Sequence, residues 1–374
     1  MRALKQERKT SVAVILNANA KRVTPRVQAR LERECEGIDI YYSRSLEEAR
    51  RIAREVIEHG YETVLTGGGD GTIIQTINSL YQLTGRLEQS SGSPRGLRLI
   101  HSPRSPMPQV GVLKLGTGNA LATVVGASTY HRDAERVRLR TSEGAELPVM
   151  ELPLMQAEGE VFPFAGLGWD AAVLNDYNWL KDNVTWGPAH KICKSVAGYL
   201  IAALGITGPG MIGKSIPQVE VKALGHAAKL NGAGQVEKRF SAGETLYAGP
   251  LHLGAFSTIP YYGYKFKLFP FAEGMGNRCQ LRLSSMPLSE VVLHLAGVWR
   301  GTYRSPGLHD FYAEGFEIQF DRPMPYHVGG DARGMREKIE VQMNPHPVTM
   351  LDYRTSLEPV RNPVLALVPG LLRS

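Results

Sequence analysis

Three cysteines in 374 residues are too few and too scattered to frame a fold. Cys35, Cys193 and Cys279 have neither the even count of a disulfide scaffold nor the close pairs of a zinc site, which fits a reducing cytosol. Long apolar runs are also missing. The longest uncharged stretch, Ser195 to Gly213, is broken by Gly198, Gly205, Gly208, Pro209 and Gly210, so only Val196 to Ile206 reads as helix, too short to span a bilayer. The apolar stretch Val12 to Leu16 is likewise too short for the core of a signal peptide. A net charge of +7 comes without a nucleic-acid recognition module or interleaved aromatics, so no nucleic acid partner is expected. What these absences leave is a cytoplasmic protein whose contact with membrane is peripheral, at the inner face.

Basic residues crowd the start of the chain. Arg2, Lys5, Arg8, Lys9, Lys21, Arg22, Arg26, Arg30 and Arg33 stand against Glu7 and Glu32 only. Such a segment can meet nucleotide phosphates or an anionic membrane, or simply keep a face solvated.

The length predicts two domains. Residues 1–143 alternate strand and helix. Val12 to Leu16 is a buried strand, Pro25 opens a helix with Val27 and Leu31 on one face, and Ile38 to Tyr42 is the next strand. Leu46, Ala49, Ile52, Ala53, Val56 and Ile57 then form a helical stripe. This predicts an α/β domain with a parallel sheet. Residues 144–345 carry closely spaced short strands, including Val149 to Met155, Val161 to Ala165 and Phe316 to Phe320, which predicts a mainly antiparallel β-sandwich. His190 to Leu204 and Leu288 to Arg300 read as helices within it, and residues 346–374 as a tail without a pattern. Residues 85–109, rich in Ser, Pro and Arg, read as an insertion.

Glycine is where the sequence becomes specific. Thr63-Val64-Leu65 runs into Thr66-Gly67-Gly68-Gly69-Asp70-Gly71-Thr72 and reopens as the helical Ile73 to Ile77. Gly111 to Leu115 runs into Gly116-Thr117-Gly118-Asn119 and then Ala120-Leu121-Ala122. A strand that ends in glycines and restarts as a helix lets backbone N–H groups reach phosphate oxygens at the positive end of a helix dipole. Asp70 could hold magnesium there, or cap the helix that starts near Thr72. Thr72 and Thr117 can donate hydroxyls to phosphate.

The ordered pair Gly68-Gly69-Asp70-Gly71-Thr72 and Leu115-Gly116-Thr117-Gly118-Asn119-Ala120-Leu121-Ala122 resembles the diacylglycerol kinase catalytic family, which includes bacterial lipid kinases and sphingosine and ceramide kinases. The resemblance implies a two-domain enzyme with its active site in the cleft, using ATP and Mg2+. Asn17 stands where the family has an Asn-Pro-like turn, although the proline and glycine are replaced here. Ser43 matches a hydroxyl that touches nucleotide in similar kinases, or else caps the helix near Leu46. Phe164 to Asp170 resembles a Gly-Phe-Asp segment, and Phe269 to Met275 an Asp-Gly-Leu element whose acid places magnesium, with Glu273 in its stead.

Near the C-terminus similar kinases carry Asp-Gly-Glu, and this chain has Gly329-Gly330-Asp331. One carboxylate survives, so Asp331 is the expected base, with a plain turn residue as the alternative reading. The expected site is thus Asp331 and Asp70 for catalysis, Asp70 and Glu273 for metal, and Asn17, Ser43, Gly68, Gly69, Gly71, Thr72, Gly116, Thr117 and Asn119 for nucleotide. The expected reaction is transfer of the γ-phosphate of ATP to a diacylglycerol-like lipid alcohol. A sphingosine or ceramide kinase, and a catalytically weak nucleotide or lipid sensor, are the alternatives, and a homodimer is compatible with either. Tyr199 to Leu204 and Ile259-Pro260-Tyr261-Tyr262 would line an acyl tunnel.

Overall fold

The computed structural model describes residues 11–87, 106–168 and 215–355. Asp170, the helix at 190–204, the apolar stretch 199–204, Cys193, the first ten residues, 88–105 of the insertion and the tail from 356 onward lie outside the described residues.

The first sheet contains β1 (Val12–Asn17), β2 (Asp39–Ser43), β3 (Thr63–Gly68), β4 (Gln109–Lys114) and β5 (Val149–Leu152). A sixth strand, β18 (Val348–Leu351), returns from the far end of the chain to give the order β2-β1-β3-β4-β18-β5. All pairings are parallel except β18 with β5. Helices α1 (Pro25–Glu34), α2 (Leu46–His59), α3 (Asp70–Thr84), α4 (Ala120–Val124) and α5 (Tyr130–Ser142) connect them. Local chemistry sets their ends. Thr24 caps α1 ahead of Pro25, Ser45 caps α2 by accepting from Glu48 N–H at 3.1 Å, and Gly60 ends α2 at φ +63°.

The first sheet draws on residues beyond 1–143. β5 belongs to the first sheet rather than opening the second domain at residue 144, and residues 348–351 of the expected tail lie between β4 and β5. The strand read as Val149 to Met155 is cut at Pro153, which has no N–H for a ladder, and β6 (Met155–Ala157) pairs in the other sheet. Pro163 likewise separates β7 (Glu160–Phe162) from β8 (Phe164–Gly168).

The second sheet has twelve strands and is antiparallel. Its remaining strands are β9 (Gln218–Ala223), β10 (Ala227–Leu230), β11 (Val236–Phe240), β12 (Thr245–Pro250), β13 (Leu253–Ser257), β14 (Cys279–Ser284), β15 (Leu308–Ala313), β16 (Gly315–Val328) and β17 (Asp331–Met343). The order runs β11-β10-β15-β14-β13-β8-β16-β17-β6-β7, with β9 also on β16 and β12 on β9. Leu288 to Arg300 forms two short helices, α6 (Leu288–Leu293) and α7 (Leu295–Arg300), meeting at His294, rather than one.

α3 joins the two sheets. Ile73, Ile74, Ile77, Leu80 and Tyr81 are buried around it, which removes the one-sided pattern of a surface helix. Buried Asn78 donates to Val161 O and accepts from Val161 N–H, both at 2.8 Å, so its amide pairs with β7 as a strand would. Losing either bond would leave a buried backbone group unpaired at about 1–3 kcal/mol. The helix that carries the first glycine turn is therefore held against the second domain.

Candidate active site

The carboxyl ends of four parallel strands share one edge, with Asn17 beside Ser43, Leu16 beside Gly67 and Gly68 beside Lys114. Open α/β sheets bind ligands at this edge. Gly69 is the N-cap of α3, in extended conformation at φ −88° and ψ 176°. The two glycine turns touch: a Cβ on Gly116 would lie 2.6 Å from Gly69 Cα and 2.9 Å from the Gly68 carbonyl oxygen. One on Gly68 would meet Thr72 Oγ1 at 2.6 Å. Close approach, of backbone at Gly116 and of the Thr72 side chain at Gly68, rather than positive φ, calls for glycine at both positions.

Buried Asp70 ties the turns together. Its Oδ2 accepts from Ala120 N–H and its Oδ1 from Leu121 N–H, each at 3.0 Å. Asp70 is thus the cap of α4, not of its own helix, where Gly69 provides no side-chain cap. Asn119, relieved of capping, sits left-handed at φ +54° and donates from Nδ2 to Gly116 O at 2.8 Å. Burial pushes the Asp70 carboxyl above its ordinary range against the pull of the Leu121, Ala120 and Asn119 N–H groups, and the charge of Asp331 pushes it the same way as burial.

Asp331 arrives from the second sheet. β16 and β17 close through Gly329 and Gly330, whose φ values of +59° and +87° suit a type I′ hairpin turn, so that Val328 pairs with Asp331. The tip rests on α3. A Cβ on Gly329 would overlap Ile74 Cδ1, and one on Gly71 would overlap the Asp331 carboxylate. Glycine at 329 is therefore a demand of both space and φ, in the place where the family resemblance puts an acid.

The other expected residues divide. Asn17 donates from Nδ2 to Thr72 Oγ1 at 3.0 Å and accepts from Asn19 N–H at 2.9 Å, which ties the end of β1 to the first turn of α3. Ser43 is buried and donates to Leu16 O at 3.4 Å, and the helix near Leu46 is capped by Ser45 instead, which corrects that alternative. Thr117 is exposed at the tip of its turn. Glu273 is exposed, and its charge is felt by Arg354 rather than joining Asp70 and Asp331. Among the described residues no group of three or more His, Cys, Asp or Glu could hold a metal ion.

Sequence reading missed a second bridge. Tyr264 N–H donates to Gly118 O at 2.9 Å, which sets the 261–267 loop of the second domain on the second glycine turn. Tyr262, expected to line an acyl tunnel, instead hydrogen-bonds through its hydroxyl to buried His327, two residues before Gly329, and packs on Phe164 and Phe269. The nearness of His327 to the glycine pair was the available signal.

Residues 11–149 match the family model described as diacylglycerol kinase catalytic domain. No curated protein matches the chain. Among solved structures, a candidate diacylglycerol kinase from Bacillus anthracis strain Sterne superposes with a TM-score of 0.61 at 15% identity, covering 94% of this chain and 98% of its own. A diacylglycerol kinase from the same strain gives 0.55 at 13% identity, covering 91% and 96%. At such identities these likenesses show the fold, which runs through both domains. The matched stretch runs from β1 into β5 and holds both glycine turns. Residues 11–149 are thus similar to the diacylglycerol kinase catalytic domain, within a two-domain fold shared with those solved structures.

Proposed function

We propose that this protein is an ATP-dependent lipid kinase that transfers the γ-phosphate of ATP to the hydroxyl of a diacylglycerol-like lipid alcohol. The observation that carries the reading is the placement of Asp331 by a hairpin of one domain on the first turn of α3 in the other, within the field of Asp70. The site fits a nucleotide. Gly68, Gly69 and Gly116 leave a cradle without Cβ atoms at the N-terminus of a helix, with Gly71 turned to Asp331, and there phosphate oxygens gain backbone N–H donors and the favourable end of the dipole. A divalent cation would be favoured there, because the charge of Asp331 raises the proton affinity of Asp70 and a positive ion beside the two would offset it.

Mg2+, when bound, would supply neutralisation of phosphate charge, with Asp70 and Asp331 as the nearest acids. Asp70 holds α4 and hence the second turn in register, while Asn17 and Thr72 fix the first. Asp331 takes the proton of the lipid hydroxyl as its oxygen bonds to the γ-phosphorus and the bond to the ADP oxygen breaks. Protein and products together conserve charge and atoms: ADP leaves, the lipid keeps the phosphoryl group and the proton passes to water.

Transfer of labelled phosphate from ATP to diacylglycerol, sphingosine, ceramide and NAD, resolved chromatographically, tests the reading. A phosphorylated diacylglycerol is the expected product. Phosphorylation of the sphingoid lipids alone would move the substrate class, and tight ATP binding with no product would favour a sensor.

A further inference from the structure

The most exposed large apolar side chain among the described residues is Leu293, at 78%, and Val292 beside it is 40% exposed. Both lie at the joint of α6 and α7, where His294 and Ala296 are also exposed. A single surface aliphatic residue needs no explanation, but an adjacent valine and leucine at the joint of two helices do. The surroundings are those of a membrane interface. Trp299 stacks on Phe266 at 4.9 Å and His294 on Tyr303 at 4.4 Å, so amphipathic rings lie behind the apolar joint.

Charge points the same way. Arg300 is exposed in α7, and Lys265 and Lys267 belong to the loop packed on it, where Lys267 N–H donates to Trp299 O at 3.0 Å. The acid of the helix pair, Glu290, accepts from the Tyr303 hydroxyl at 2.9 Å. Three cations thus belong to α7 and to the loop packed on it, beside a helix end with two exposed aliphatic residues, a pairing that suits anionic headgroups over an acyl layer.

The joint is continuous with the active site. The loop that receives Trp299 is the one whose Tyr264 N–H binds Gly118 O, and Gly263, Tyr264 and Lys265 in it all have positive φ, at +127°, +48° and +60°. Side chains hold such a conformation only where the surroundings impose it. A Cβ on Gly118 would lie 3.8 Å from Gly263 Cα and 3.1 Å from Asp70 Oδ2, so the chain of contacts from α7 ends at the catalytic carboxylates.

We propose that the α6–α7 joint, with Val292 and Leu293 exposed and with Arg300 of α7 and Lys265 and Lys267 of the loop packed on it, docks on an anionic bilayer and fixes the height of the Asp331 site above it. The proposal rests on the lipid kinase reading for its purpose and on the exposed joint for its evidence. Flotation of the full chain with vesicles of phosphatidylcholine, alone or mixed with phosphatidylglycerol, tests it. The wild type should float with the mixed vesicles and less so as salt rises, because screening acts over about 8 Å at physiological ionic strength.

V292S/L293S should float about tenfold less well, since each aliphatic side chain withdrawn from water favours the bound state. Its thermal midpoint, ATP affinity and transfer to a short-chain, water-soluble diacylglycerol should match the wild type. Equal flotation of variant and wild type would overturn the proposal. So would concentration-dependent self-association that the variant abolishes while its flotation is unchanged, which would make the joint an interface between copies. Normal flotation without transfer to any lipid alcohol would remove the kinase reading and leave the docking, and the reverse pattern would remove the docking alone.

Discussion

Asp70 and Asp331 lie 261 residues apart in sequence and close enough in space for the charge of one to raise the proton affinity of the other. Burial is the larger cause, so the folded protein holds the Asp70 proton more tightly than the unfolded chain does. The sign for stability follows. A carboxyl raised in the folded state contributes stability that is complete below its unfolded value, about 3.9, and that is lost as pH rises through the folded one. Asp331→Asn removes one source of the rise and the repulsion that accompanies it. Its thermal midpoint should therefore equal the wild type's near about pH 4 and exceed it increasingly toward about pH 8, followed by calorimetry through a series of buffers. A difference that does not change with pH would mean that the two charges do not act on each other.

Elements meet at this site through glycines, and each meeting predicts a separable defect. At Gly71, in the first turn of α3, a methyl group would displace the Asp331 carboxylate without touching the Gly69–Gly116 contact. Alanine is favoured over glycine in a helix by up to about 1 kcal/mol, so Gly71→Ala should fold at least as well as the wild type. We expect kcat for transfer to fall on the order of 10²-fold with the KM for ATP nearly constant, as for loss of an interaction made in the transition state. A rise in KM alone would place the defect in the cradle instead. Gly329→Asp, which restores the acid of the family pattern, should not restore activity. The residue would be held at φ +59° with its Cβ against Ile74, and the left-handed region costs an L-residue roughly 1–2 kcal/mol before the clash is relieved. A lowered thermal midpoint and reduced transfer are expected, and a faster enzyme would show that α3 yields at Ile74.

Across the whole molecule, what could be read in the sequence was local and what escaped it was tertiary. The two glycine turns were legible because each lies between an apolar strand and a helix start within ten or so residues, a short-range pattern. That Asp70 caps α4 rather than α3 was not, since its partners Ala120 and Leu121 are 50 and 51 residues away and no spacing rule links them. α5 left no stripe because Ala134 and Val137 are its buried apolar residues amid charge. Strands were read straight through Pro153 and Pro163, although a proline lacks the N–H of a ladder, and where β5 went depended on β18 returning from far along the chain. The joining of domains at Asp331 has the same character: Gly329-Gly330 signals a hairpin, whereas its landing on α3 is a property of the folded whole. Asp331→Ala, assayed side by side for ATP affinity by calorimetry and for phosphate transfer to diacylglycerol, examines that landing. Retained ATP binding with transfer lowered on the order of 10²-fold or more is the expected result, because the lost group accepts a proton in the transition state and does not hold nucleotide. Transfer at the wild-type rate by the folded variant would contradict the assignment of Asp331 as the base.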